Sequence, residues 1–138
     1  MIKQIFSLCL LALVLAVLAY NADISDDKIL VSHSDKSEPI EVLTPNKYIC
    51  YESRTLIADN NDTAQAIMPN GDIYFFNDIT NSFIWYMAQK SKDKIKLYVY
   101  SRDTNRYILA QDAWYSRVDI TPMGYGIGAY EFHTYGIN

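Results

Sequence analysis

A chain of 138 residues carrying a formal charge of −4 has room for one domain with a modest core. Its acidic balance, without a basic face, argues against a nucleic-acid binder. Its two histidines, His33 and His133, leave little for hydrolytic chemistry, and no strand-turn-helix nucleophile motif surrounds Ser53, Ser82 or Ser101. The sequence therefore reads as a non-enzyme.

Lys3 precedes an apolar run from Ile5 to Ala19, which is followed by Tyr20, Asn21 and Asp23. A positive start, an apolar centre and small residues at the end have the form of a secretory signal, with cleavage after Ala19 or after Ala22. The alternative is an uncleaved anchor, since the run is slightly short of the roughly 20 residues that span a bilayer. Residues 1–22 are thus a signal peptide or membrane anchor, and the remaining chain is expected outside the cytoplasm, in the periplasm. Its one remaining cysteine, Cys50, then has no internal disulfide partner. It is a buried apolar residue, a metal ligand or an intermolecular thiol.

Residues 23–44 hold Asp23, Asp26, Asp27, Asp35, Glu38 and Glu41 against Lys28 and Lys36. Serine and proline fill much of the rest, so an acidic flexible spacer is expected. The domain is expected over residues 45–138. A β-leaning stretch runs from Tyr48 to Ile57, then Asp59 to Thr63 forms a polar turn that also contains the glycosylation sequon Asn61-Asp62-Thr63. Ala64–Met68 and Asp72–Phe76 flank Pro69-Asn70-Gly71, two strands about a turn.

Asn77 or Asp78 can cap a helix reaching about Lys90. Ile79, Phe83, Tyr86, Met87 and Lys90 share one face of it, which puts Met87 in the core. Lys90, Lys92, Lys94 and Lys96 read as a solubilising edge. Between Lys94 and Ser101 apolar and polar residues alternate as in a strand with one buried face. A turn at residues 102–106, a short helix over about residues 110–118 and a final strand complete the order. The fold class is α+β: a mostly antiparallel sheet with helices on one side.

The segment from Ile120 to Tyr130 contains Thr121-Pro122-Met123-Gly124-Tyr125-Gly126 and three of the chain's five glycines. Proline restricts its own φ and that of the preceding residue, while glycine opens the left-handed region. Such a segment would present the Met123 thioether on a tight loop. Cu(I) favours thiolate and thioether donors and tolerates imidazole. Cys50, Met68, Met123 and His133 are accordingly the candidate metal residues, to be assembled by the fold. Zinc is disfavoured because one cysteine and one plausible histidine cannot complete its tetrahedral set.

The stretch from Ala64 to Tyr130 resembles the nitrous oxide reductase accessory protein (NosL) family. The resemblance lies in Ala64-Gln65, Asn70-Gly71-Asp72, Tyr74-Phe75-Phe76-Asn77-Asp78-Ile79, Tyr98-Val99-Tyr100 and Ala113-Trp114-Tyr115. Its most specific piece is Thr121-Pro122-Met123-Gly124 with the glycines that follow. It implies two small ββαβ-like units and a membrane-tethered, periplasmic Cu(I) chaperone. Such a protein serves a membrane transporter complex and a copper reductase during nitrous oxide reductase maturation in denitrification. Family members carry Cys-Gly-Met or Cys-x-x-Cys-Gly-Met ahead of the Ala-Gln pair; here Cys50 stands at the first cysteine, Ser53 at the second and Thr55 at the methionine. That departure keeps open a second reading, an adaptor without metal that docks a membrane or envelope partner.

Overall fold

The computed structural model describes residues 1–23 and 27–133. Helix α1, Ile2–Asp23, is rich in leucine and alanine and has no interior glycine or proline, a composition that favours helix. The part from Ile2 to Tyr20 is long and apolar enough to cross a membrane and packs against nothing in the domain. Its length and composition are compatible with a signal sequence or a membrane anchor.

The domain is a seven-stranded, mostly antiparallel sheet with one packed helix, an α+β fold. The strands are β1 Val31–His33, β2 Ala64–Ile67, β3 Asp72–Phe76, β4 Lys96–Ser101, β5 Arg106–Leu109, β6 Trp114–Ser116 and β7 Gly128–Tyr130. Helix α2, Ile79–Met87, follows β3. The sheet order is β1-β3-β2-β4-β7-β6, with β5 pairing β4; among the described strands only β4 and β7 run parallel. The run β2-β3-α2-β4 is one ββαβ unit. The later elements do not repeat it, because the helix expected over about residues 110–118 is a single 3₁₀ turn, Ala110–Asp112, followed by strand β6. Trp114, Tyr115 and Ser116 pair with Tyr130, Ala129 and Gly128, so sheet pairing outweighs a short helix that lacks tertiary support.

The β2–β3 hairpin forms as its turn residues require. Gly71 adopts φ +93, and the Asn70 carboxamide accepts the Asp72 N–H at 3.0 Å. Side chains of β3 alternate between two layers. Tyr74 and Phe76 meet Trp85 of α2, with ring centroids 5.1 and 5.4 Å away, while Phe75 meets Tyr48 at 4.5 Å.

The second layer is completed by a segment expected to be outside the domain. From Ile29 onward, the acidic residues 23–44 are docked and not a flexible spacer. β1 pairs with β3, and Ile29 bridges Tyr48. The buried Gln65 carboxamide acts as a strand neighbour, accepting the Ile40 N–H at 2.9 Å and donating to the Ile40 carbonyl at 2.8 Å. Leu43 is 1% exposed, and burying such a side chain contributes about 1.5–3 kcal/mol. Average composition concealed this, because a few apolar residues between charged ones are enough to anchor a segment. The Tyr48–Ile57 stretch is likewise not a strand. It makes only two isolated bridges around a turn, Ile29 with Tyr48 and Ile49 with Leu56.

Helix α2 is shorter and turned differently from expectation. It ends at Met87 and buries Ile79, Asn81, Ser82 and Trp85. Met87, expected in the core, is 65% exposed. The β3 aromatics select Trp85 as the inward side chain, which leaves Met87 facing solvent while Phe83 and Tyr86 are half-buried.

Candidate functional site

The N-terminus of α2 is where the domain gathers its special residues. Asp78 is extended, with φ −144 and ψ 137, and its Oδ1 accepts the Thr80 N–H at 3.0 Å. This caps the helix, and a carboxylate there also complements the helix dipole. Its other oxygen, Oδ2, accepts the Met123 N–H at 3.2 Å. One buried carboxylate thus ties the helix start to the glycine-rich loop.

The loop has further ties. The Gly124 N–H closes a turn on the Thr121 carbonyl at 3.0 Å. Gly126 donates to the Thr121 hydroxyl at 3.2 Å, and its carbonyl accepts the Asp119 N–H at 3.0 Å. Gly124 and Gly126 take φ +73 and +81, a region disfavoured for other residues. Met123 sits at the crest of this turn, 40% exposed.

Behind the crest lies an ion-pair cluster. Arg102 grips Asp62 through two bonds of 2.7 Å, reaches Asp119 at 3.3 Å and donates to the Ile120 carbonyl at 2.7 Å. Asp62 holds the guanidinium pKa still further above its ordinary value. Tyr130 donates its hydroxyl to the Asp119 carboxylate at 3.0 Å. Gly128 is required beside it, since a Cβ there would lie 2.1 Å from Asp119 Oδ2.

Cys50 reaches the same helix end from inside. It is 0% exposed, and its sulfur accepts the Ser53 N–H at 3.5 Å and a long contact from Asn81 Nδ2 at 3.9 Å. Asn81 also donates to Asn77 Oδ1 at 3.0 Å, and Asn77 donates to the Thr55 hydroxyl at 2.7 Å. The Ser53 and Thr55 hydroxyls lie 2.8 Å apart. The residues that stand where the resemblance puts soft donors are therefore joined to one another and to α2 as a closed amide–hydroxyl network.

The four candidate metal residues divide accordingly. Cys50 and Met123 are both attached to the first turn of α2, one through Asn81 and the other through Asp78. Met68 is at the far end of the helix, lining a hollow with Ala88 and Gln89. His133 is exposed and stacks edge-on against Trp114, with ring centroids 4.2 Å apart. Among the described residues no group of three His, Cys, Asp or Glu side chains is arranged to hold a metal ion. The donors at the helix start are one presented thioether and one enclosed thiol.

The sequence reading missed the positioning roles of Asp78, Arg102 and Asp119. Asp78 was legible as one of two candidate caps with Asn77, but the use of its second oxygen depends on a residue 45 positions later. In the sequon, Asn61 is exposed, whereas Thr63 is buried and its hydroxyl lies 2.6 Å from that of Tyr107. Burial pushes the Tyr107 phenol up to about 12.

Fold and site together define an α+β domain, preceded by an apolar helix, that displays a braced methionine loop at a helix start. Comparison with protein-family models, curated proteins and solved structures finds no match.

Proposed function

We propose that this is a periplasmic accessory protein that handles Cu(I), secreted or tethered through α1, with Met123 as the residue that first meets the ion. The observation that carries the reading is the outward thioether of Met123 on a loop braced by Asp78 and Arg102. A thioether is a soft donor without charge, suited to brief contact with Cu(I) and to releasing it to a stronger site. The resemblance to the nitrous oxide reductase accessory proteins supports the same assignment. It extends it to delivery, through a membrane transporter complex, to a copper reductase. The enclosed Cys50 stands behind Asn77 and Asn81 and joins only if that network opens.

Competition for Cu(I) against a chromophoric chelator tests the reading. Met123→Leu should weaken binding about tenfold or more, close to 1.4 kcal/mol, while Cys50→Ser leaves it nearly unchanged. Equal affinity of wild type and Met123→Leu would remove the assignment.

One observation favours a second reading. Ser53 and Thr55 satisfy each other and Asn77, which suits an adaptor that retained the fold and a partner surface without the metal. Wild-type protein with no measurable Cu(I) affinity would favour it.

A further inference from the structure

Asn61 stands beside the Arg102 cluster without joining it. It heads the one Asn-x-Ser/Thr triplet of the chain, Asn61-Asp62-Thr63, with Asp59 two residues ahead. The residue is exposed on a turn just before β2. Asp59 Oδ1 accepts the Asn61 N–H at 2.8 Å, and Asp62 takes φ +59, a region that aspartate tolerates better than most residues. Among the described residues the Asn61 carboxamide makes no hydrogen bond. An open hollow of about 500 Å³ adjoins it, with Asp59, Ile120 and Pro122 also in its lining. A sugar has an apolar C–H face and a rim of hydroxyls, which suits apolar side chains next to a carboxylate acceptor.

Thr63 is in the opposite state, fully buried. Its hydroxyl donates to the Asn60 carbonyl at 2.5 Å and lies 2.6 Å from that of Tyr107, and its carbonyl accepts the Tyr100 N–H at 2.9 Å. The acceptor pattern for N-glycosylation needs both the asparagine and the hydroxyl residue. The folded domain therefore offers Asn61 and withholds Thr63. Only a chain that has not yet paired β2 with β4 offers the two together.

We propose that Asp59–Thr63 is an N-glycosylation acceptor, with Asn61 modified as the chain leaves the membrane and before the domain folds. The co-reactant is an oligosaccharide carried on a polyprenyl diphosphate. Asn61 Nδ2 forms the bond to C1 of the first sugar while the bond from C1 to the diphosphate oxygen breaks. The polyprenyl diphosphate leaves, and one amide proton passes to a base of the transferase. The proposal shares with the proposed function the export of the domain, and does not depend on copper. Nor does it depend on the fate of α1, since a cleaved signal and an anchor held with Lys3 inside both deliver the domain across the membrane.

The test is the intact mass of the full chain purified from the envelope and from the cytoplasm of its own cells. The envelope form should be heavier by one oligosaccharide, and fragmentation should place it on Asn61. Asn61→Gln should remove the increment, Asp59→Ala should lose most of it, and Thr63→Ser, which keeps the hydroxyl, should retain it. Asp59 and Asn61 are exposed, and unchanged thermal unfolding would confirm that these variants fold. Folded, unmodified chain given the transferase and its lipid-linked oligosaccharide should stay unmodified. Envelope protein at its unmodified mass, an increment that survives Asn61→Gln, full modification of Asp59→Ala, or rapid transfer to the folded chain would overturn the proposal and leave copper binding untouched. Protein confined to the cytoplasm would overturn both readings.

Discussion

Met123 and Cys50 are both tied to the first turn of α2, yet their surroundings are opposite. Met123 is held by its backbone, through Asp78 and a loop that Arg102 braces, and the residue is 40% exposed. Cys50 lies in the hydrophobic core with no exposed surface, its sulfur accepting the Ser53 N–H and a long contact from the Asn81 carboxamide. Donor softness does not separate a presented sulfur from a structural one. Both backbones are hydrogen-bonded, so what separates them is burial, complete at Cys50 and partial at Met123.

Removing the brace should have the largest effect. Arg102→Ala leaves the Asp62 carboxylate buried and unpaired and frees the Ile120 carbonyl. The expected loss is about 3 kcal/mol of unfolding free energy, read by urea denaturation. Hydrogen exchange should rise in residues 119–126 and not around Cys50; equal loosening of both would mean the two regions are one unit.

Asp78→Ala cuts the point that both regions share. Loss of the cap costs about 1 kcal/mol, and the unpaired Met123 N–H adds about as much again. Chemical denaturation should show roughly 2 kcal/mol, with exchange rising both in the loop and in the first turn of α2.

Cys50→Ser tests the enclosed side. The shorter, more polar side chain in a fully buried site should cost about 1 kcal/mol. In the wild type, alkylation of Cys50 should proceed only at the rate of domain opening. Fast alkylation under native conditions would show that the network opens by itself, and the contrast with Met123 would then be one of degree.

The smallest effect is a control placed away from both sulfurs. His33 Nδ1 lies 3.0 Å from Asp72, with Asp35 at 3.4 Å. The hydrogen bond to Asp72, and then Asp35, raise the His33 pKa above its ordinary value. Hydrogen bonds from His33 and then Asn70 lower that of Asp72. The histidine contribution is complete below about pH 6.5 and lost as pH rises through the raised value; the aspartate contribution is present above about pH 4 and lost on acidification. Protection of β1 amides should therefore fall slightly between pH 6 and 8, about as far as general exchange corrections resolve. His33→Ala should abolish that fall, and protection at the Met123 loop and Cys50 should stay constant.

The sequence alone determined the features carried by neighbouring residues: the β2–β3 hairpin about Pro69-Asn70-Gly71, a cap at Asn77 or Asp78, the alternation along β4 and the glycine turn beneath Met123. Each rests on turn chemistry, capping or side-chain period within a few residues. Tertiary structure decided the rest. Leu43 is buried because Gln65 and the back of the sheet receive its segment, Met87 is outside because Trp85 pairs with the β3 aromatics, and residues 114–116 form a strand because β7 offers them an edge. Cys50 and Met123 come to one helix end only through Asn81 and Asp78, contacts that span 31 and 45 positions of chain. No local pattern encodes a partner so distant, since its contribution arises only once the sheet has closed.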